Sequence, residues 1–127
     1  MNTVVEPTIF FKPSQRGLEK FLGRLEAAIM EIMWASGPMT VKRARYLLGE
    51  EHPYAYTTVM TVMNRLVEKR LLTREKKGHS FLYTPAISKK EFLYYAIEKI
   101  MSGLQNDFAG ETGEVFARRF KKAGRKI

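Results

Sequence analysis

A chain of 127 residues with 45% hydrophobic content is sized for one compact domain with an appended element, and such an apolar share argues against wholesale disorder. Lys and Arg number 22 against 13 Asp and Glu, and the resulting net charge of +9 favours a polyanionic partner, nucleic acid first and an anionic membrane surface second. The sequence contains no cysteine, which excludes disulfide frameworks and thiolate metal sites, and its lack of a membrane-length apolar run or signal-peptide layout sets the expectation of a soluble cytoplasmic protein with no membrane partner.

Residues 1–18 read as an N-terminal extension. Pro7, Pro13 and Gly17 interrupt any helix, while Ile9, Phe10 and Phe11 form a short apolar patch. Such an arm can pack on the body, exchange between subunits or stay loose, and loose is the expectation because disorder concentrates at termini. Beyond it, Leu22, Leu25, Ile29, Ile32 and Met33 recur at helical spacing until Ser36-Gly37-Pro38 stops the run. The pitch makes this a first helix of about four turns, with Trp34 in the core or as a lid on its edge. Pro38-Met39-Thr40 reads as a short extended piece, with Thr40 the N-cap of a second helix whose inward residues are Val41, Ala44, Leu47 and Leu48. Lys42, Arg43 and Arg45 crowd the first turns of that helix, where the macrodipole disfavours cations. A nearby phosphate would offset this and would bond the free amides, and that reading is preferred to a merely solvated turn.

After a connector at 49–54, residues 55–70 form the stretch that the chain is organised around. On a helix, Val59, Val62, Met63 and Leu66 gather on one side, and Thr57, Thr61, Asn64 and Glu68 on the other, flanked by Met60 and Arg65. Glu, Lys and Gln would suit a solvated face better than two threonines and an asparagine. Two readings of that face stand level: a surface whose Thr, Asn and Arg side chains reach base edges in a DNA major groove, or an exposed helix of poor propensity with no partner. Next come two short strands, Leu71–Glu75 and Phe81–Thr84, joined by Lys76-Lys77-Gly78-His79-Ser80, which is a hairpin signal. Three helices and a basic-tipped hairpin make a winged helix-turn-helix over residues 19–86, mainly α with a small β-hairpin. Lys76, Lys77 and His79 would then touch flanking phosphates, the alternative being a solvated loop.

The run Leu25-Glu26, Ile29-Met30-Glu31-Ile32-Met33-Trp34, Thr40-Val41, Ala55 to Lys69 and Tyr83-Thr84-Pro85 resembles the penicillinase repressor family over about residues 19–100. Its specific core is Tyr56-Thr57-Thr58-Val59, Thr61-Val62 and Arg65-Leu66, and the outer portions are generic winged helix. The resemblance implies a homodimeric bacterial repressor whose third helix enters the major groove and whose C-terminal helices hold the dimer. It places operator contacts on Thr57, Thr58 and Thr61, and basic wing contacts on Lys76 and Lys77. With Tyr56 of that core, and with Asn64 from the outward face and Arg65 from its flank, the candidate reading set is Tyr56, Thr57, Thr58, Thr61, Asn64 and Arg65. Lys42, Arg43, Lys76, Lys77 and His79 form the candidate backbone set.

Residues 87–127 read as a helical dimerisation region with a basic tail. Ser88 and Glu91 have capping-box spacing. Leu93, Ile97, Ile100, Met101, Leu104 and Phe108 then form a seam at spacings of three and four, flanked by Phe92, Tyr95 and Ala96. A seam this apolar would be exposed in a monomer, so two-fold pairing through it is preferred to packing within one subunit, with Val115, Phe116 and Phe120 continuing the interface. The end departs from the family, which usually has an acidic helix there. Arg118, Arg119, Lys121, Lys122, Arg125 and Lys126 instead make a basic tail that either adds phosphate contacts or merely solubilises. Antibiotic-resistance members are cut at an Asn-Phe bond on a membrane sensor's signal, for which the nearest match here is Arg119-Phe120, and the copper branch uses cysteines that this chain lacks. Neither signal transfers, and any upstream sensor or protease is unidentified.

Catalysis has little support. His52 and His79 are the only histidines, both on predicted loops, and there is no phosphate-cradling glycine motif, so neither metal nor cofactor is expected. The expected function is a sequence-specific transcriptional repressor, a homodimer on a pseudo-palindromic double-stranded operator. The alternative is a winged-helix protein–protein module with only non-specific nucleic-acid affinity; double-stranded RNA, read mostly by shape, is a weaker third.

Overall fold

A computed structural model describes residues 6–122. Residues 1–5 of the extension and Arg125 and Lys126 of the basic tail lie outside the described residues. In chain order the elements are a 3₁₀ turn Gly17–Lys20, α1 (Arg24–Ser36), α2 (Val41–Leu48), a 3₁₀ turn Gly49–Glu51, α3 (Tyr56–Glu68), β1 (Leu72–Lys77), β2 (Ser80–Pro85), α4 (Lys89–Asp107) and α5 (Ala109–Lys122). The chain divides into two compact units, Met1–Phe92 and Leu93–Ile127, with the division falling inside α4.

The first unit is a winged helix-turn-helix, as the sequence leads one to expect. Ile29, Met30 and Met33 of α1, Ala44 of α2, and Val59, Met63 and Leu66 of α3 converge on one core that admits essentially no solvent. Leu25, Ile32 and Leu47, which spacing also turns inward, are only half-buried, while Met30 takes a fully buried place that spacing does not assign. Thr40 caps α2 as expected, its hydroxyl accepting from the Arg43 N–H at 3.2 Å. Gly37 closes α1 at φ +81, donating its N–H to the Met33 carbonyl.

The hairpin is longer and its turn tighter than the sequence implies. Lys77 pairs with Ser80, leaving Gly78-His79 as a two-residue turn in place of a five-residue loop. Gly78 sits at φ +62 in the first loop position, which a type II′ turn requires and which glycine adopts without strain. On its other edge β2 pairs with Met39, whose N–H and C=O exchange 2.9 Å bonds with Tyr83. The extended piece before α2 is therefore a third, one-bridge strand that ties the hairpin to the helices.

The N-terminal arm is packed over its described part, which corrects the loose expectation. The Thr8 N–H donates to the Lys69 carbonyl at 3.0 Å, the Phe10 N–H to Phe21 at 3.3 Å and the Lys12 N–H to Lys20 at 2.7 Å. Pro7 is buried and the Phe11 ring stacks on Phe21 at 6.1 Å between centroids. Phe21 in turn meets Phe92 edge-on at 6.2 Å, and Trp34 lies 5.8 Å from Phe92 while its indole N–H donates to the Ile87 carbonyl at 2.9 Å. Trp34 is thus an edge lid whose polar end is satisfied.

Glu26 is 4% exposed, the one charged residue in the core among those described. Its Oε1 accepts from the Gly23 N–H at 2.8 Å, the back-bond of a capping box, and Lys69 Nζ lies 3.0 Å from Oε1 and 2.8 Å from Oε2. The pair joins the start of α1 to the end of α3.

Arg70, just past α3, adopts φ +70, and the Leu71 N–H reaches back to the Leu66 carbonyl at 3.0 Å. This is a Schellman ending at the place where glycine is the unstrained residue. Arg70→Gly is therefore expected to raise stability by up to about 1 kcal/mol, the left-handed penalty offset in part by unfolded-state entropy. Urea denaturation checks it, and a loss of stability would mean that the Arg70 bond to the Glu6 carbonyl outweighs the strain.

At the end of the first unit, Ser88 and Glu91 form the expected capping box at the start of α4, through bonds of 3.1 and 3.3 Å. The helical run breaks at Phe108, which the seam does not foretell. Asn106 and Asp107 precede the break, and such residues fit helix boundaries better than interiors. Thr112 Oγ1 donates to the Leu104 carbonyl at 3.2 Å, which also accepts from the Phe108 N–H at 2.7 Å, and so ties the first turn of α5 to the last turn of α4.

Candidate nucleic-acid interface

The outward face of α3 follows from its buried one. With Val59, Val62, Met63 and Leu66 held in the core, Tyr56, Thr57, Thr58, Thr61, Arg65 and Glu68 stand exposed along the other side. Ala55 precedes the helix without a side-chain cap, and the first intrahelical bond runs from the Val59 N–H to the Ala55 carbonyl. The first-turn amides are thus available to an anion, and the macrodipole favours one there.

Thr61 has a defined polarity. Its hydroxyl donates to the Thr57 carbonyl one turn back at 2.8 Å, so the oxygen lone pairs and the methyl group are what it presents outward. That suits it to accept from a base amino group or to touch a thymine methyl.

Asn64, expected from the sequence to face outward with the threonines, is half-buried and committed. Its Oδ1 accepts from the Tyr83 hydroxyl at 2.6 Å and from Arg74 Nη1 at 2.7 Å. The Arg74 guanidinium also lies over the Phe81 ring, 4.6 Å from its centroid. Arg74, Phe81 and Tyr83 share one face of the hairpin, since Arg74 is opposite Tyr83 in register and Phe81 is two residues from it. The two-residue turn sets this register, whereas a loop of residues 76–80 would put Arg74 opposite Leu82, and nothing in the sequence connects the shared face to Asn64.

The cations flank this face at both ends. Lys42 and Arg45 of α2 line a shallow cleft with Tyr46, Tyr54 and Tyr56, which sets the basic start of α2 beside the entrance of α3. Arg45 Nε donates to the Tyr54 carbonyl at 3.0 Å and is spent on holding the connector, whereas Lys42 is exposed and Arg43 lies over the exposed Tyr46 ring at 5.4 Å. At the other end, Lys76, Lys77 and His79 are exposed on the hairpin. By strand rise, Lys77 lies about 10 Å beyond Arg74. Lys77 is paired with Glu75 at 2.7 Å, an exposed contact that is worth little and that a phosphate can displace.

On α4 and α5 the seam residues divide. Ile97, Leu104 and Phe108 are exposed, Leu93, Ile100 and Met101 are half-buried, and Phe92 and Ala96 are buried. Met101, Leu104, Phe108, Val115, Phe116 and Phe120 line an open apolar groove of about 400 Å³, with the Phe116 and Phe120 rings 4.3 Å apart. No helix among the described residues is long and apolar enough to cross a membrane.

The solution structure of the DNA-binding domain of the repressor BlaI is similar in fold, with a TM-score of 0.50 and 23% identity over 65% of this chain and 93% of that one. In sequence, the transcriptional regulator BlaI of Mycobacterium tuberculosis is 36% identical over 73 residues, 57% of this chain and 53% of that protein. The penicillinase repressor of Bacillus licheniformis is 25% identical over 68 residues, 54% of this chain and 53% of its own length. The chain thus spans about half the length of the curated relatives it matches. The family model described as Penicillinase repressor matches residues 22–124, which takes in α1 to α5 and both strands of the hairpin. The chain belongs to the penicillinase repressor family.

Proposed function

We propose that this protein is a sequence-specific, DNA-binding transcriptional repressor that acts in the cytoplasm as a homodimer on a pseudo-palindromic operator. The observation that carries the reading is the outward face of α3: hydroxyl-bearing Tyr56, Thr57, Thr58 and Thr61 at an uncapped helix start, with cations at both ends. Names given to the relatives, a transcriptional regulator and a penicillinase repressor, agree with it.

In this mechanism α3 enters the major groove and its first-turn amides meet a phosphate. Thr57, Thr58 and Thr61 face base edges, and Arg65 reaches across from the flank. Lys42 and Arg43 on one side, and Lys76, Lys77 and His79 on the other, hold the backbone and set the register. Their neutralisation of phosphates makes affinity fall steeply with salt. Pairing of two copies through α4 and α5 buries the exposed Ile97, Leu104, Phe108 and Val115. It also presents two α3 helices about one turn of DNA apart, or a small multiple of that, so that bound protein occludes polymerase.

Thr61→Ala is expected to remove about 1 kcal/mol of discrimination, roughly a fivefold narrowing between operator and random duplex. Lys77→Ala is expected to weaken both DNAs alike and to reduce the salt slope by about one. Fluorescence anisotropy separates the two outcomes; equal losses on both duplexes for Thr61→Ala would remove α3 from the reader's role.

A further inference from the structure

A base-reading asparagine recognises adenine with both ends of its amide at once, the oxygen accepting from N6 and the nitrogen donating to N7. Asn64 has only one end to offer. Its Oδ1 already accepts two bonds, from the Tyr83 hydroxyl at 2.6 Å and the Arg74 guanidinium at 2.7 Å, which use both lone pairs. These are strong commitments. The Tyr83 ring is 1% exposed, so losing its acceptor would strand a hydroxyl in the core, and the Arg74 bond is charge-assisted.

The partners belong to the hairpin, and Tyr83 is its most constrained residue. Its backbone is paired with Arg74 on one edge and with Met39 on the other. Its side chain is fixed by Asn64. The amide oxygen thus joins the recognition helix to both strands of the wing at a single atom. Arg74, pinned by that oxygen and by the Phe81 ring at 4.6 Å, keeps its remaining N–H donors exposed at the junction between α3 and the wing.

We propose that Asn64 is a positioning residue that sets the angle of the wing to α3 through Tyr83 and orients Arg74 for phosphate contact, and that it reads no base itself. The proposal rests on the DNA-binding function set out above and names how the two halves of that surface are held in register.

The test compares Asn64→Ala, Arg74→Ala and the double variant by anisotropy on the operator and on a random duplex over a salt series. Asn64→Ala is expected to weaken both DNAs by the same factor, about fivefold, and to reduce the salt slope by about one, as Arg74→Ala does. The double variant is expected to lie within about twofold of Arg74→Ala alone, because the two changes remove one shared interaction. Asn64→Asp, which keeps both acceptor bonds, is expected to retain the Arg74-dependent coupling, although its charge lowers affinity uniformly. A selective loss on the operator would overturn the proposal and make Asn64 a reader, and full additivity with Arg74→Ala would overturn it by showing that the two side chains act independently. Amide hydrogen exchange provides a second readout that needs no DNA: Asn64→Ala should speed exchange at 72–77 relative to α1, and unchanged protection there would also overturn it. Wild-type protein that binds neither duplex at low salt would defeat the DNA-binding function itself, while the exchange result still reports whether Asn64 holds the wing.

Discussion

Lys69→Met is expected to destabilise the protein by about 3 kcal/mol, the largest effect of any single substitution considered. The Glu26 and Lys69 side chains are 5% and 18% exposed, so removing the ammonium leaves a carboxylate in the core with the Gly23 N–H as its remaining donor. Methionine keeps most of the volume of the lysine stem, which separates the loss of charge from the loss of packing. The arm should loosen as well, because Lys69 Nζ lies 5.6 Å from the Phe10 ring and the Lys69 carbonyl holds Thr8. The sign of the companion experiment is informative. Glu26→Gln combined with Lys69→Met removes both charges and should recover much of the loss, since a buried pair is worth far less than the penalty for breaking it. Urea unfolding with an unchanged m-value is the appropriate measurement, with a fall of about 10 °C in Tm expected for the single variant. A single-variant loss under about 0.5 kcal/mol would mean that Glu26 finds water or another donor in solution.

The second large effect concerns assembly. Leu104→Asp and Val115→Asp each put a carboxylate into the groove between α4 and α5, at residues that are 44% and 41% exposed and so carry little of the subunit's own core. Each is expected to yield a monomer by sedimentation, because an unpaired charge in an apolar interface has no compensating contact. Affinity for a full operator should fall by about a hundredfold, since linking two recognition helices turns the second contact into an intramolecular one. Binding to an isolated half-site should be unchanged, which also verifies the fold of the winged unit. A variant that stays dimeric would place the interface elsewhere on the chain.

The helices were legible because their buried faces recur at a period that no strand shares, and Thr40 because a hydroxyl before an apolar-periodic run has one common use. The same holds for the outward threonines of α3, which are the complement of Val59, Val62, Met63 and Leu66. What spacing cannot carry is contact between distant residues. Glu26 looks like any helix-surface acid until its partner, 43 positions away, closes on it. Asn64 shares the angular position of a base reader, and only the hairpin's arrival on that side shows its oxygen to be taken. Composition alone understates the hairpin, marking five residues as loop where Gly78 permits a turn of two. The arm's order is illegible for a related reason: it depends on the carbonyls of Lys69, Phe21 and Lys20, which have no sequence signature.

Selection of duplex DNA from a random pool by the full chain, followed by sequencing, tests the central claim most directly. The account predicts an enriched pseudo-palindrome whose half-sites are spaced by about one helical turn or a small multiple of it, and whose consensus degrades with Thr57→Ala or Thr61→Ala. Retention of DNA without any enriched sequence, or a consensus untouched by both substitutions, would contradict it.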